Sequence, residues 1–130
     1  MKLGELYQSG DWKNEKHVPS IDSPATVKAD EPFDIRVAIG KEIGHPNTTE
    51  HHIRWIKVYF KPNDDKFVYE VGSYAFNAHG ESAAGANQGP VYTEPEVTTR
   101  LKINKPGTLL AAIYCNIHGL WENEAAVSVS

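Results

Sequence analysis

The sequence predicts an all-β protein, an antiparallel sandwich, and three observations carry that reading. Apolar and polar residues alternate at period two through most of the chain. Turn-forming residues separate the alternating runs at short intervals: Pro62-Asn-Asp-Asp65, Gly80, Gly85, Gly89-Pro90 and Lys105-Pro-Gly107. Nothing between the runs has the length and helical periodicity of a crossover helix, which argues against a parallel α/β sheet.

Taken in chain order, residues 3–9 carry at most one helical turn. The first strand is 33–39, where Phe33, Ile35, Val37 and Ile39 alternate with Asp34, Arg36 and Ala38. The second is 53–60, with Ile56, Val58 and Phe60 on one face. Further strands are predicted at 66–71 (KFVYEV), 97–103 (VTTRLKI), 108–114 (TLLAAIY) and 125–129 (AAVSV). Two polar segments break the pattern, 40–52 (GKEIGHPNTTEHH) and 77–95 (NAHGESAAGANQGPVYTEP). Loops of such length in a small sandwich often carry function.

A chain of 130 residues is long enough to bury a core without disulfides, so residues 1–130 are read as one domain. Hydrophobic residues at 40% and charged residues at 23% exclude a disordered tail. No apolar run approaches the roughly 18 residues of a membrane span. The N-terminus, MKLGELYQSGDWK, lacks the apolar core of a secretory signal, so a cytoplasmic placement is expected. Thirteen basic against seventeen acidic residues give a net charge of -4, which excludes a broad nucleic-acid-binding surface. Cys115 is the only cysteine, so no internal disulfide forms. A lone thiol beside six histidines points to a reducing compartment and to metal or redox chemistry.

Three segments carry that chemistry. Tyr114-Cys-Asn-Ile-His118 closes an apolar strand, and Cys-x-x-His in one tight turn lets a thiolate and an imidazole face one centre. The competing reading is a buried cysteine beside an exposed loop histidine. In His45-Pro-Asn-Thr-Thr-Glu-His51-His52, a folded loop can bring His45 towards His51 or His52. Adjacent residues leading into a strand diverge, so only one of the latter two reaches a shared site, and spacing does not say which. Glu15-Lys16-His17 places a carboxylate, an amine and an imidazole in succession; alone it reads more readily as an exposed charge run than as a lid. His79 has no partner at ligand spacing and is expected to be structural or to support the ligands from behind.

One thiolate with several imidazoles suits iron, zinc or copper rather than calcium or magnesium. Five candidate ligands are too many for structural zinc, which prefers four, usually with more than one cysteine. A blue-copper site commonly adds an axial methionine, and the only methionine here is Met1. Four imidazoles in a plane with an axial thiolate leave a sixth position open. That arrangement favours iron acting on a small molecule. A ferrous ion with one thiolate carries a net charge of about +1, which attracts a small anion.

The segments EKHVP, GKEIGHPNTTEHHIRWI, NAHGES, VYTEP and YCNIHGLWENE resemble the one-iron superoxide reductases of the neelaredoxin type, the desulfoferrodoxin iron-binding domain family. The likeness runs from Ser9-Gly-Asp-Trp-Lys13 to the final strand. One departure is Gly44, where relatives commonly carry proline; it is expected to loosen that loop. The resemblance implies an immunoglobulin-like sandwich of about seven strands. It implies one mononuclear iron per chain, with His17, His45, His51 and His118 as equatorial ligands and Cys115 as the axial one. Glu15 would take the sixth position in the oxidised state, and Lys16 would attract superoxide and organise the proton-donating water. The implied activity is reduction of superoxide to hydrogen peroxide by inner-sphere electron transfer, without release of oxygen. The implied partners are a rubredoxin-like electron donor and three further copies of the chain in a homotetramer, with no nucleic acid and no membrane. The main alternative is a cupredoxin-like electron carrier using Cys115 and His118 for copper. A scaffold or carbohydrate-binding sandwich with incidental histidines and a dismutase are the others.

Overall fold

The computed structural model describes all 130 residues. After a short 3-10 turn at Leu3–Leu6 the chain forms eight strands. These are β1 (Ser20–Asp22), β2 (Thr26–Val27), β3 (Phe33–Ala38), β4 (Ile53–Pro62), β5 (Tyr69–Ala75), β6 (Glu96–Leu101), β7 (Gly107–Cys115) and β8 (Gly119–Val129). They make a three-stranded sheet in the order β1-β3-β6 and a five-stranded sheet in the order β2-β8-β7-β4-β5. Every pairing is antiparallel except that of β2 with β8, which is parallel. The all-β sandwich expected from the alternation is therefore the observed fold.

The core lies between the sheets because each strand turns its apolar face inward. Ile35 and Val37 of β3, Ile56 and Val58 of β4, Leu109, Ala111, Ile113 and Cys115 of β7, and Val127 of β8 are all buried. Ile53 is buried as well, out of step with Ile56. A register shift between Ile53 and Trp55 in the β4–β7 pairing accounts for it.

Two strands depart most from the expected bounds, and two short ones were not expected. The strand expected at 66–71 begins at Tyr69, because Asp65 holds the Phe67 N–H at 2.9 Å and the Tyr69 hydroxyl at 2.7 Å in a turn. Phe67 and Val68 are exposed as a result. The strand expected at 125–129 extends back to Gly119, since its polar residues Glu122-Asn-Glu124 lie in full register with β7. Strands β1 and β2 are too short to show a period in sequence.

Candidate metal centre

The antiparallel order brings the start of β4, the end of β7 and the start of β8 to one end of the five-stranded sheet. Three segments converge there: the turn before β1, the loop from β3 to β4, and the tight turn from β7 to β8. Gly40 makes the second possible. Its φ is +79°, and a Cβ there would lie 2.7 Å from the His45 amide nitrogen, so only glycine lets the loop fold back on itself. Gly44, in contrast, has nothing within 4 Å of a built Cβ, and no strain marks the position. Gly119, at φ +85°, closes the β7–β8 turn.

His17, His45, His51 and Cys115 each offer a ligand atom, and these atoms lie within 4.8 Å of one another. His118 joins them, its Nδ1 lying 3.2 Å from His17 Nε2 and 3.8 Å from the Cys115 sulfur. The four rings form a closed circuit. Centroid separations are 4.8 Å for His17–His45, 4.8 Å for His45–His51, 5.0 Å for His51–His118 and 4.8 Å for His17–His118. The His17–His51 diagonal is 6.4 Å. Half of that diagonal, about 3.2 Å, is close to a metal–nitrogen bond of about 2.1 Å plus the offset from nitrogen to ring centre.

The hydrogen bonds assign the tautomers. His45 Nδ1 donates to the Pro46 carbonyl at 2.6 Å, which leaves an Nε2 lone pair. His17 Nδ1 meets the Glu15 carboxylate at 2.7 Å, and Nε2 faces inward. His45 Nε2 and His51 Nε2 are buried with no hydrogen-bond partner. An unpaired buried polar atom costs about 1–3 kcal/mol, and a metal ion satisfies both at once. The donor set thus fits a transition metal.

The electrostatics favour uncharged rings at His17, His45 and His51. Burial lowers the pKa of His17, and lowers that of His45 to about 4. It lowers that of His51 too, helped by repulsion from His118 and Lys16. Glu15 is held below its usual value chiefly by the His17 backbone N–H, which it accepts at 3.0 Å. The His118 N–H lies 3.4 Å from the fully buried Cys115 sulfur and tempers its charge.

Each candidate has a definite place. Glu15 caps His17 through two hydrogen bonds, and the segment is packed rather than a free charge run, since His17 is buried. Lys16 is half-buried next to it. His51 and His52 diverge as adjacent residues should: His51 points to the cluster, while His52 stacks on His79 at 3.5 Å. His79 lies outside the cluster, buried and bonded to Glu81. The sequence reading missed Trp121, whose ring stacks on His17 at 4.8 Å while its Nε1 donates to the His118 carbonyl at 3.1 Å. It also missed the latch between the two polar loops. Thr49 Oγ1 donates to the His79 carbonyl at 2.7 Å, Asn87 bonds Thr49 N and both Glu50 oxygens, and Asn47 bonds the Thr93 carbonyl.

Comparison with known proteins agrees with this geometry. The desulfoferrodoxin family model matches residues 9–124. The chain is 60% identical to neelaredoxin from Megalodesulfovibrio gigas over 99% of both proteins. It is 54% identical to superoxide reductase from Pyrococcus furiosus, over 96% of this chain and 98% of that one. The reduced superoxide reductase (neelaredoxin) of Archaeoglobus fulgidus superposes with a TM-score of 0.87 at 50% identity, covering 95% of this chain and 99% of the other. With five donor side chains gathered as the sequence motifs require and the likeness running the length of the fold, the chain belongs to the desulfoferrodoxin family.

Proposed function

We propose that this chain, as one domain, reduces superoxide to hydrogen peroxide at one mononuclear iron held by His17, His45, His51, His118 and Cys115. One observation carries the reading: a closed circuit of four imidazoles around a buried sulfur, with two inward nitrogens left unpaired. The names of the relatives, neelaredoxin and superoxide reductase, support the same activity.

When bound, ferrous iron supplies one electron and an open position to the substrate. The five side chains divide the remaining work. Neutral imidazoles add no charge and Cys115 adds one negative charge, so the occupied pocket is about +1 and attracts an anion. Lys16 adds positive potential, and its influence already reaches His17, His45 and His51. It also orders water that donates protons. The balance is superoxide plus one electron and two protons to hydrogen peroxide, with no oxygen formed. Glu15, tethered beside His17, is assigned to cover the open face in the oxidised state. A rubredoxin-like donor returns the electron, and the chain works as a homotetramer in the cytoplasm.

The copper-carrier alternative is disfavoured. Met1 is fully exposed and is no axial ligand, and four imidazoles rather than two surround the sulfur. The test pairs metal analysis of the purified protein with an oxygen electrode during superoxide consumption. Iron with no oxygen release is expected; copper, or oxygen evolved in step with superoxide loss, overturns the proposal.

A further inference from the structure

Beyond the register shift between Ile53 and Trp55, strands β4 and β7 end their pairing at Ile53 opposite Cys115. The next residues outward are His52 and Asn116. Asn116 N donates to the His52 carbonyl at 3.2 Å, as in a hydrogen-bonded antiparallel pair. Such a pair exchanges two bonds, and the second should run from His52 N to the Asn116 carbonyl. It runs instead to the Asn116 side-chain oxygen, at 2.8 Å. The chain has turned towards β8 at this point, and the side-chain amide stands in for the backbone. The other end of the same amide donates to the Glu50 carbonyl at 2.8 Å.

One amide therefore grips the residues on both sides of His51, while its own backbone separates Cys115 from the turn that carries His118. Asn116 is only partly buried, so it is not core filling. Both its oxygen and its nitrogen are used, which few other side chains permit at this length.

We propose that Asn116 is a positioning residue: its side-chain amide locks the His51 loop to the Cys115–His118 turn and so sets the placement of the imidazoles relative to the sulfur. The inference rests on reading His51, Cys115 and His118 as metal ligands. Asn116→Asp keeps the shape but loses the donor and turns a carboxylate oxygen on the Glu50 carbonyl. Asn116→Ser leaves an acceptor too short to span both partners.

The test is a cobalt(II) titration of the metal-free full-length chain, followed by absorption spectra of the iron-loaded chain. Thr99→Val is the control for stability alone, since it removes a partly buried hydrogen bond to Tyr74 and touches no cluster residue. Asn116→Asp and Asn116→Ser are expected to weaken cobalt binding by about tenfold to a hundredfold and to move the thiolate-to-metal charge-transfer band. Thr99→Val is expected to alter neither. Folding is followed by circular dichroism, and where Asn116→Asp does not fold, Asn116→Ser gives the result. Unchanged affinity and band position in the folded Asn116 variants overturn the inference. A thiolate-to-cobalt band missing from the unsubstituted chain overturns the ligand reading itself, which keeps the two failures apart.

Discussion

Cys115 ends a strand whose side chains, apart from the hydroxyls of Thr108 and Tyr114, are hydrocarbon, and its sulfur is as deeply buried as Leu109 and Ile113 below it. Cys115→Ser is expected to remove the thiolate-to-iron absorption and most activity while the far-ultraviolet dichroism stays; an unchanged visible spectrum refutes the axial assignment. Trp121 offers a graded test. Trp121→Phe keeps a ring against His17 but loses the bond to the His118 carbonyl, at a cost of about 0.5–1.5 kcal/mol in urea unfolding. Glu15→Ala should leave the reduction rate nearly intact and alter the spectrum of the oxidised resting state. Stopped-flow kinetics and absorption spectra check both parts. The five candidate ligands that the structure gathers were legible in the sequence because thiols and imidazoles are sparse and chemically pointed. Asn116 and Trp121 were not. Their roles rest on contacts across 66 and over 100 positions, which no local pattern encodes.

Among the elements, the long strands were legible from period two, and the edges were not. Strand β5 was misplaced because Phe67-Val-Tyr69 reads as apolar strand, yet the Asp65 turn holds it back. The loop from β3 to β4 drew attention to Gly44, whereas the backbone demand falls on Gly40. Gly40→Ala is expected to destabilise the fold by about 1–3 kcal/mol, read by chemical denaturation, and to weaken metal uptake in parallel. An alanine variant of full stability would show that the His45 turn has another way to close. Loop 77–95 was expected to carry function. The structure shows it hydrogen-bonded to the His51 loop, through Asn87 and His79 on its side and Thr49 on the other.

Across the whole molecule, charge and metal act in opposite directions on the substrate. The protein carries a net charge of -4, which repels an anion at long range, so the steering proposed for Lys16 is local. Lys16→Ala should slow superoxide capture by about tenfold at low salt and flatten its dependence on ionic strength. Pulse radiolysis across a salt series measures it, and an unaltered bimolecular rate counts against steering. Metal removal reads a different global property. A ligand present at about a thousand times its Kd adds about 4 kcal/mol to the folded state. The apolar core between the sheets contains no candidate ligand but Cys115, so chelated protein should stay folded and melt roughly 15 °C lower by calorimetry.

The sealed position of Cys115 has a further effect on how long such a catalyst lasts. Hydrogen peroxide attacks exposed thiolates and drives them towards sulfinic and sulfonic acids. Here each turnover makes that very reagent, yet no part of the sulfur meets solvent. The lining that orients the sulfur also shields it from corrosion by what the reaction leaves behind.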